Sequence, residues 1–172
     1  GLRRADIVVL SRADHLGPAD REAVWRIVER HAPHAVRAEV VHAPRCLVSA
    51  TGDAAPLESL RGQSVAAFCG VGNPAGFRHT LEACGCRVGG FREFADHHAY
   101  TAADVAALTA WAGGLGVAAV LCTGKDLVKI PADWLGRTPF WAVKVELDFS
   151  MGQQSVESRL QGLAPIGYSE LP

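Results

Sequence analysis

Two short polar runs in this sequence combine carboxylate, imidazole, hydroxyl and ammonium groups, which are the groups that bind phosphate or move protons. The first run is FADHHAYT at residues 94–101, and the second is TGKD at residues 123–126. Each run directly follows a segment predicted to be a strand. Loops at the carboxyl ends of parallel strands are where open α/β sheets place their ligands. The spacing therefore predicts a phosphate-handling site at one edge of a sheet.

Asp96 and His97 are the predicted catalytic pair of the first run. A carboxylate beside an imidazole fixes the imidazole tautomer, and an unperturbed histidine titrates near ~6.5, so it exchanges protons near neutral pH. Two alternatives remain open. The loop could be stabilised by side-chain hydrogen bonds of the aspartate to nearby backbone, or both His97 and His98 could ligate a metal. Adjacent residues seldom point at one ion, so we predict no metal ligands.

The second run supplies the predicted contacts with phosphate or substrate. Lys125 stands at a strand-to-helix junction, where its ammonium can meet a phosphate as a point charge. Asp126 could orient that lysine, and Thr123 lies beside both. The alternative is an ordinary surface salt bridge.

Three further residues follow other predicted strands. Asn73 lies in the turn GVGNP, where it is a good N-cap for a helix that begins at Pro74. The amides of that helix start could bind an anion, although a tight structural turn is the alternative. Arg12 and Asp14 follow the first predicted strand and are candidates for the nucleotide side of the site. The sequence contains no G-x-x-x-x-G-K-[ST] phosphate loop and no complete dinucleotide fingerprint.

Composition describes an ordinary globular protein of one domain or slightly more. The 172 residues are 49% hydrophobic and 20% charged. A net charge of −1 and a pI of about 6.7 give no global attraction to nucleic acid, so we expect no nucleic-acid partner. The five cysteines favour buried, reduced thiols in a cytosolic protein over a disulfide framework. Cys84 and Cys86 have the spacing C-x-C, which is not the spacing of a zinc pair.

Short apolar runs alternate with helical segments, which predicts an α/β fold with a largely parallel sheet flanked by helices. Glycines interrupt the apolar stretch 102–122, which favours a helix, a turn and a buried strand over a membrane span. The polar stretch 49–64 predicts a junction between residues 1–60 and residues 61–172. The predicted strands are 6–11, 35–41, 65–69, 87–94, 117–122 and 140–149, the last as an edge strand. The predicted helices are 18–31, 74–84, 102–112 and 151–162, followed by a loose tail.

In their order along the chain, five motifs resemble the C-terminal part of the tetraacyldisaccharide 4'-kinases, the lipid A 4'-kinase family. The resemblance covers nearly the whole chain, and the ordered set is more specific than any single motif. The motifs are LRRADIVVLSRAD (2–14), FCGVGNP (68–74), FADHHAY (94–100), TGKDLVKI (123–130) and WAVKVEL (141–147).

The resemblance implies a P-loop-kinase-like fold and an enzyme that uses ATP and Mg²⁺ to phosphorylate the 4'-hydroxyl of a lipid A disaccharide precursor. It also implies a cytoplasmic location, peripheral to the inner membrane. In that family the phosphate loop and the magnesium carboxylates lie in an N-terminal half that these motifs do not include, so we expect this chain alone to be inactive. ATP and Mg²⁺ are then expected to bind mainly through that half.

The resemblance also implies residue roles. The family's D-H motif supplies a histidine that pairs with a distant aspartate, and this role carries over to His97. The family reads T-E-K-D where this chain has T-G-K-D, so the carboxylate of that glutamate is lost while Lys125 is kept. His98 receives no catalytic role.

Two alternatives from other classes remain open. The D-H-H triplet also occurs in metal-dependent phosphoesterases of the DHH type, but these need further metal-binding motifs, for which Asp14-His15 is the only candidate. The other alternative is a non-catalytic interaction domain.

Overall fold

The computed structural model describes residues 1–135 and 139–162. The chain divides into two compact units, one formed by residues 1–43 with the chain from residue 147 onward, and the other by residues 44–146. The division at residues 60 and 61 stays a prediction. The predicted tail after residue 162 lies outside the described residues.

Strands and helices alternate along the chain, and the predicted α/β class is confirmed. The strands are β1 (Ile7–Ser11), β2 (Val36–Ser49), β3 (Ala54–Ala55), β4 (Ser64–Cys69), β5 (Arg87–Glu93), β6 (Ala119–Thr123) and β7 (Phe140–Met151). The helices are α1 (Pro18–His31), α2 (Pro74–Ala83), α3 (Ala102–Leu115), α4 (Gly124–Leu127) and α5 (Gln153–Gln161). Short 3-10 turns occupy Leu2–Arg4, Ala13–His15, Leu57–Leu60 and Ala132–Trp134.

In the first unit, β1 pairs in parallel with the first part of β2, and α1 is fixed to β2 through a buried carboxylate. Glu39 accepts hydrogen bonds from Arg21 Nη1 at 3.1 Å and from Trp25 Nε1 at 2.7 Å. The face of α1 that meets β2 therefore carries Arg21, Trp25 and Val28, which recur at i, i+4 and i+7. Ile27 lies outside this face, because it is 57% exposed and lies about 100° around the helix from Val28.

In the second unit, the strand order is β2-β7-β6-β4-β5, with β3 antiparallel to β2. β4 is parallel to β5 and β6, and β6 is parallel to β7. The prediction that β4, β5 and β6 share a parallel sheet is confirmed. The prediction that β7 is an edge strand is wrong, because it lies between β2 and β6. Both faces of β7 are buried at its start, at Phe140, Ala142 and Val143, and both are exposed from residue 144 to residue 147. The alternation of apolar and polar residues says nothing about pairing at the edges of the strand.

Two hydrophobic cores cover the two faces of this sheet, and β4 contributes to both. Ala66 and Phe68 belong to one core, and Val65, Ala67 and Cys69 belong to the other. A strand covered on both faces has no polar alternation, which is why β4 is apolar from Val65 to Cys69. The ring of Phe68 meets the rings of three aromatic neighbours, namely Phe94, Tyr100 and Phe140.

All five cysteines are free thiols, and Cys69, Cys86 and Cys122 are buried. Burial, with the charges of Asp126 and Glu93 as smaller causes, raises the pKa of Cys69 to about 11. Burial also raises the pKa of Cys86 and Cys122, so the three buried thiols remain protonated parts of the core at neutral pH.

The apolar stretch 102–122 folds as predicted into a helix, a glycine turn and a strand. α3 ends at Gly116, whose φ of 61° is a left-handed conformation that glycine adopts without strain. Within the described parts of the chain, no helix is both long and apolar enough to span a bilayer.

Candidate functional site

Three loops meet at one edge of the sheet in the second unit. β4, β5 and β6 are parallel, so the segments that follow them leave the sheet at the same edge. These segments are residues 70–73, residues 94–101 and residues 123–126, and we call them together the loop cluster. It contains both polar runs that the sequence predicted to form one site.

The carboxylate of Asp126 joins the three loops and is fully buried, with 0% of the residue exposed. Its Oδ1 accepts hydrogen bonds from the Gly70 amide at 3.1 Å and from the Tyr100 hydroxyl at 3.0 Å. Its Oδ2 accepts a hydrogen bond from Thr123 Oγ1 at 2.6 Å. The sequence predicted that Asp126 faces a substrate or Lys125, whereas the structure turns its carboxylate inward onto three protein donors.

His97 lies at the rim of the loop cluster in an unusual backbone conformation. Its φ is 60°, which is uncommon for a residue other than glycine, although histidine is enriched there. Its amide donates to Asp96 Oδ1 at 3.0 Å and to the Gly70 carbonyl at 3.3 Å. The imidazole is 84% exposed, with Nε2 at 3.9 Å from Asp96 Oδ2. The aspartate thus stabilises its own loop with one oxygen and faces the imidazole with the other.

His98 has a different environment from its neighbour. Its Nε2 lies 3.2 Å from Asp104 Oδ2, and its ring packs against Phe94 and Tyr100 at centroid distances of 4.7 and 4.9 Å. Its carbonyl accepts a hydrogen bond from Lys129 Nζ at 3.4 Å. His97 and His98 thus have different partners, and His98 contributes to packing.

Lys125, Thr123 and Asn73 occupy the ends of helices. Thr123 caps α4, because its Oγ1 accepts from the Asp126 amide at 3.2 Å, and Lys125 is exposed on that helix. Asn73 caps α2 as predicted, because its Oδ1 accepts from the Gly76 amide at 2.9 Å. The binding roles of these three residues stay predictions.

Two residues of the loop cluster that the sequence reasoning did not single out are Tyr100 and Gly70. Tyr100 is 6% exposed, and burial together with the charge of Asp126 raises its pKa, so its hydroxyl stays protonated and donates. A Cβ at Gly70 would lie 3.0 Å from the Ala95 carbonyl oxygen and 3.1 Å from the Tyr100 hydroxyl. Two signals in the sequence could have identified these residues. Tyr100 lies near the end of the polar run 94–101, and Gly70 directly follows a predicted buried strand.

Arg12 and Asp14 belong to the first unit. Arg12 follows β1 with a φ of 55°, and Asp14 Oδ2 lies 3.7 Å from His15 Nε2. Nearby, the Oγ of Ser11 is 3.0 Å from Nε2 of His42, and burial and the Arg12 charge lower the pKa of that histidine. No local pattern marks His42, which lies within a strand. The nucleotide roles of Arg12 and Asp14 stay predictions.

Comparison with known proteins identifies relatives along most of the chain. The profile of the family "Tetraacyldisaccharide-1-P 4'-kinase" matches residues 1–164. The tetraacyldisaccharide 4'-kinase of Anaeromyxobacter sp. (strain K) is 43% identical over 132 residues, which are 76% of this chain and 35% of that protein. The kinase of Anaeromyxobacter dehalogenans (strain 2CP-1 / ATCC BAA-258) is 39% identical over 162 residues, which are 92% of this chain and 42% of that protein. The chain thus spans less than half the length of these relatives.

A solved structure shows the same fold. It is a crystal structure of LpxK from Aquifex aeolicus in complex with ATP, with a TM-score of 0.54 and 20% identity. The match covers 92% of this chain and 52% of that one. The fold, the ordered motifs and the profile match therefore agree, and the chain belongs to the tetraacyldisaccharide-1-P 4'-kinase family.

Proposed function

We propose that this protein acts in ATP-dependent transfer of the γ-phosphate to the 4'-hydroxyl of a tetraacyldisaccharide 1-phosphate, a step of lipid A biosynthesis. Family membership supports this reaction and its acceptor. We also propose that it acts in the cytoplasm, at the surface of the inner membrane where such an acceptor would be presented.

The observation that carries the proposal is the position of His97. The family's D-H motif lies at the edge of the sheet where ligands bind, and the imidazole is 84% exposed, so an acceptor can reach it. Phosphoryl transfer depends on positioning and charge neutralisation, with a further residue that orients the attacking group. We assign that last role to His97, through pairing with the family's distant aspartate, and we assign a substrate phosphate to the exposed ammonium of Lys125.

ATP and Mg²⁺ are the cofactors of the proposed reaction. Over residues 1–135 and 139–162, no group of three or more His, Cys, Asp or Glu side chains is arranged to hold a metal ion. The sequence also contains no phosphate loop. We assign His97 and Lys125 of the loop cluster to the acceptor side of the reaction, because both side chains are exposed at the ligand-binding edge of the sheet.

The test is kinase activity of the protein as its gene encodes it, with Mg-ATP and a tetraacyldisaccharide 1-phosphate in detergent micelles. We expect phosphate transfer to the 4'-position, and we expect His97→Ala to lower kcat by roughly 10²–10⁴-fold with little change in the KM for ATP. The product is identified by mass spectrometry.

His34→Ala is the matched control, because His34 is an exposed histidine in the turn before β2. We expect it to retain wild-type turnover. Wild-type turnover of His97→Ala would show that the loop is structural, and absence of transfer by the unmodified protein would contradict the proposed reaction itself.

A further inference from the structure

We propose that Asp126 is a positioning residue of this site: its buried carboxylate holds the His97 loop in the geometry that presents the imidazole. The consequence for turnover rests on the proposed function, whereas the consequence for the loop can be measured without it.

Two separate connections join Asp126 to the loop. The first runs through Gly70, whose amide donates to Asp126 Oδ1 at 3.1 Å and whose carbonyl accepts from the His97 amide at 3.3 Å. The second is the Tyr100 hydroxyl, which donates to the same Oδ1 at 3.0 Å. The first connection ends at the amide of His97 itself, and the second ends at Tyr100, which follows His97 in the same loop. A shift of the His97 backbone would therefore break one of these hydrogen bonds.

Burial makes these connections costly to lose. A buried carboxylate deprived of its donors retains its desolvation cost without compensation. Asp126 has no exposed surface, so water does not replace a donor that moves away. The left-handed conformation of His97, at φ 60°, is a strained one for a side chain with a Cβ and persists only where surrounding structure fixes it. The carboxylate supplies that constraint from the interior of the protein.

The short spacing at Gly70 supports the same conclusion. A Cβ there would lie 3.3 Å from Asp126 Oδ1, 3.1 Å from the Tyr100 hydroxyl and 3.0 Å from the Ala95 carbonyl. Glycine thus lets the backbone approach both the carboxylate and the loop that it holds. Both the Asp126 carboxylate and a glycine at residue 70 are therefore part of this geometry.

The experiment compares backbone dynamics of the 172-residue chain and its Asp126→Ala variant, which removes the oxygen that accepts from Gly70 and Tyr100, by ¹⁵N relaxation and amide hydrogen exchange. We expect the order parameter of the His97 amide to fall from about 0.85 to below about 0.6. We expect the Gly70 amide to exchange at least roughly tenfold faster, while amides of β4 keep their rates, because the change is a local opening. Unchanged order at His97, or an equal increase in exchange throughout the second unit, would overturn the proposal.

Two further variants complete the test. Asp53→Ala is the matched control, because Asp53 also accepts hydroxyl hydrogen bonds, from Ser49 at 3.1 Å and Thr51 at 2.6 Å, but in an exposed turn. It should leave His97 unchanged. Tyr100→Phe removes only one donor and serves if Asp126→Ala does not fold. An intermediate loss of order at His97 is then expected, and wild-type order would overturn the proposal.

Kinetics of the gene-encoded protein separate positioning from folding stability. Asp126→Ala should lower kcat without changing the KM for ATP. The double variant with His97→Ala should lose no more than His97→Ala alone, because both substitutions remove the same contribution of the imidazole. Additive losses would overturn the positioning role. If the unmodified protein transfers no phosphate, the proposed function fails while the relaxation data still decide whether Asp126 holds the loop.

Discussion

At the scale of single residues, the loop cluster shows how neighbours in sequence acquire different tasks. Asp96 and His97 lie at the surface, His98 packs between Phe94 and Tyr100, and Asp126 is buried. The residue types of the two polar runs indicated the position of the candidate site. The helix cap at Asn73 was predicted from the local sequence GVGNP. The inward direction of Asp126 did not, because its partners Gly70 and Tyr100 are 56 and 26 positions away.

Gly70→Ala should destabilise the protein by about 1–3 kcal/mol, the usual range for overpacking. The added methyl group would meet the Ala95 carbonyl at 3.0 Å, and backbone atoms have little freedom to retreat. The measurement is the free energy of unfolding in urea.

Gly113→Ala is the control for that substitution. Gly113 lies in α3, and nothing lies within 4 Å of a Cβ placed there, so alanine should stabilise the helix by roughly 0.5–1 kcal/mol. If Gly70→Ala were as stable as the wild type or more stable, the crowding inferred at Gly70 would be contradicted.

At the scale of elements, local sequence carried most of the information. The capping box of α3 was readable as T-x-x-D, and the structure has both of its hydrogen bonds, between Thr101 and Asp104. β4 and β6 were readable as apolar runs because both faces are covered. The position of β7 in the sheet was not readable, since the partners of a strand depend on pairing with distant segments and leave no local pattern.

The capping box gives a pH-dependent prediction. Hydrogen bonds from the Thr101 amide and hydroxyl, and then from His98, lower the pKa of Asp104 below its ordinary 3.8. A folded-state pKa below the unfolded one stabilises the fold above the unfolded pKa, and this stabilisation is lost as the pH falls through the folded pKa. The stability difference between the wild type and Asp104→Asn should therefore be constant from pH 7 to 5 and shrink below about pH 4.

Urea titrations at pH 6, 4.5 and 3 measure this difference. Because His98 Nε2 contacts Asp104 Oδ2 at 3.2 Å, each comparison is also made in a His98→Ala background, where the loss below pH 4 should persist. A difference that is as large at pH 3 as at pH 6 would contradict the role of the ionised carboxylate.

At the scale of the whole molecule, the order of motifs was more informative than any composition value. A net charge of −1 and an average hydrophobic content fit many soluble enzymes, whereas five motifs in a fixed order indicated one family, which the profile match over residues 1–164 confirmed. The chain spans 35% and 42% of the length of the two Anaeromyxobacter kinases. Experiments must therefore determine which of the reacting groups lie in this segment and which lie in the rest of such a protein.

The chain of these 172 residues should bind Mg-ATP no more tightly than about 100 µM and should not hydrolyse it, because tight triphosphate binding uses consecutive backbone amides of a phosphate loop. The sequence contains no such loop. Isothermal titration calorimetry measures the affinity, and the complete Anaeromyxobacter sp. (strain K) kinase, of which the match covers 35%, is the comparison protein. Micromolar binding at one ATP per chain would instead place the nucleotide site among these residues, and Arg12→Ala and Asp14→Ala would then be the first variants to lose it.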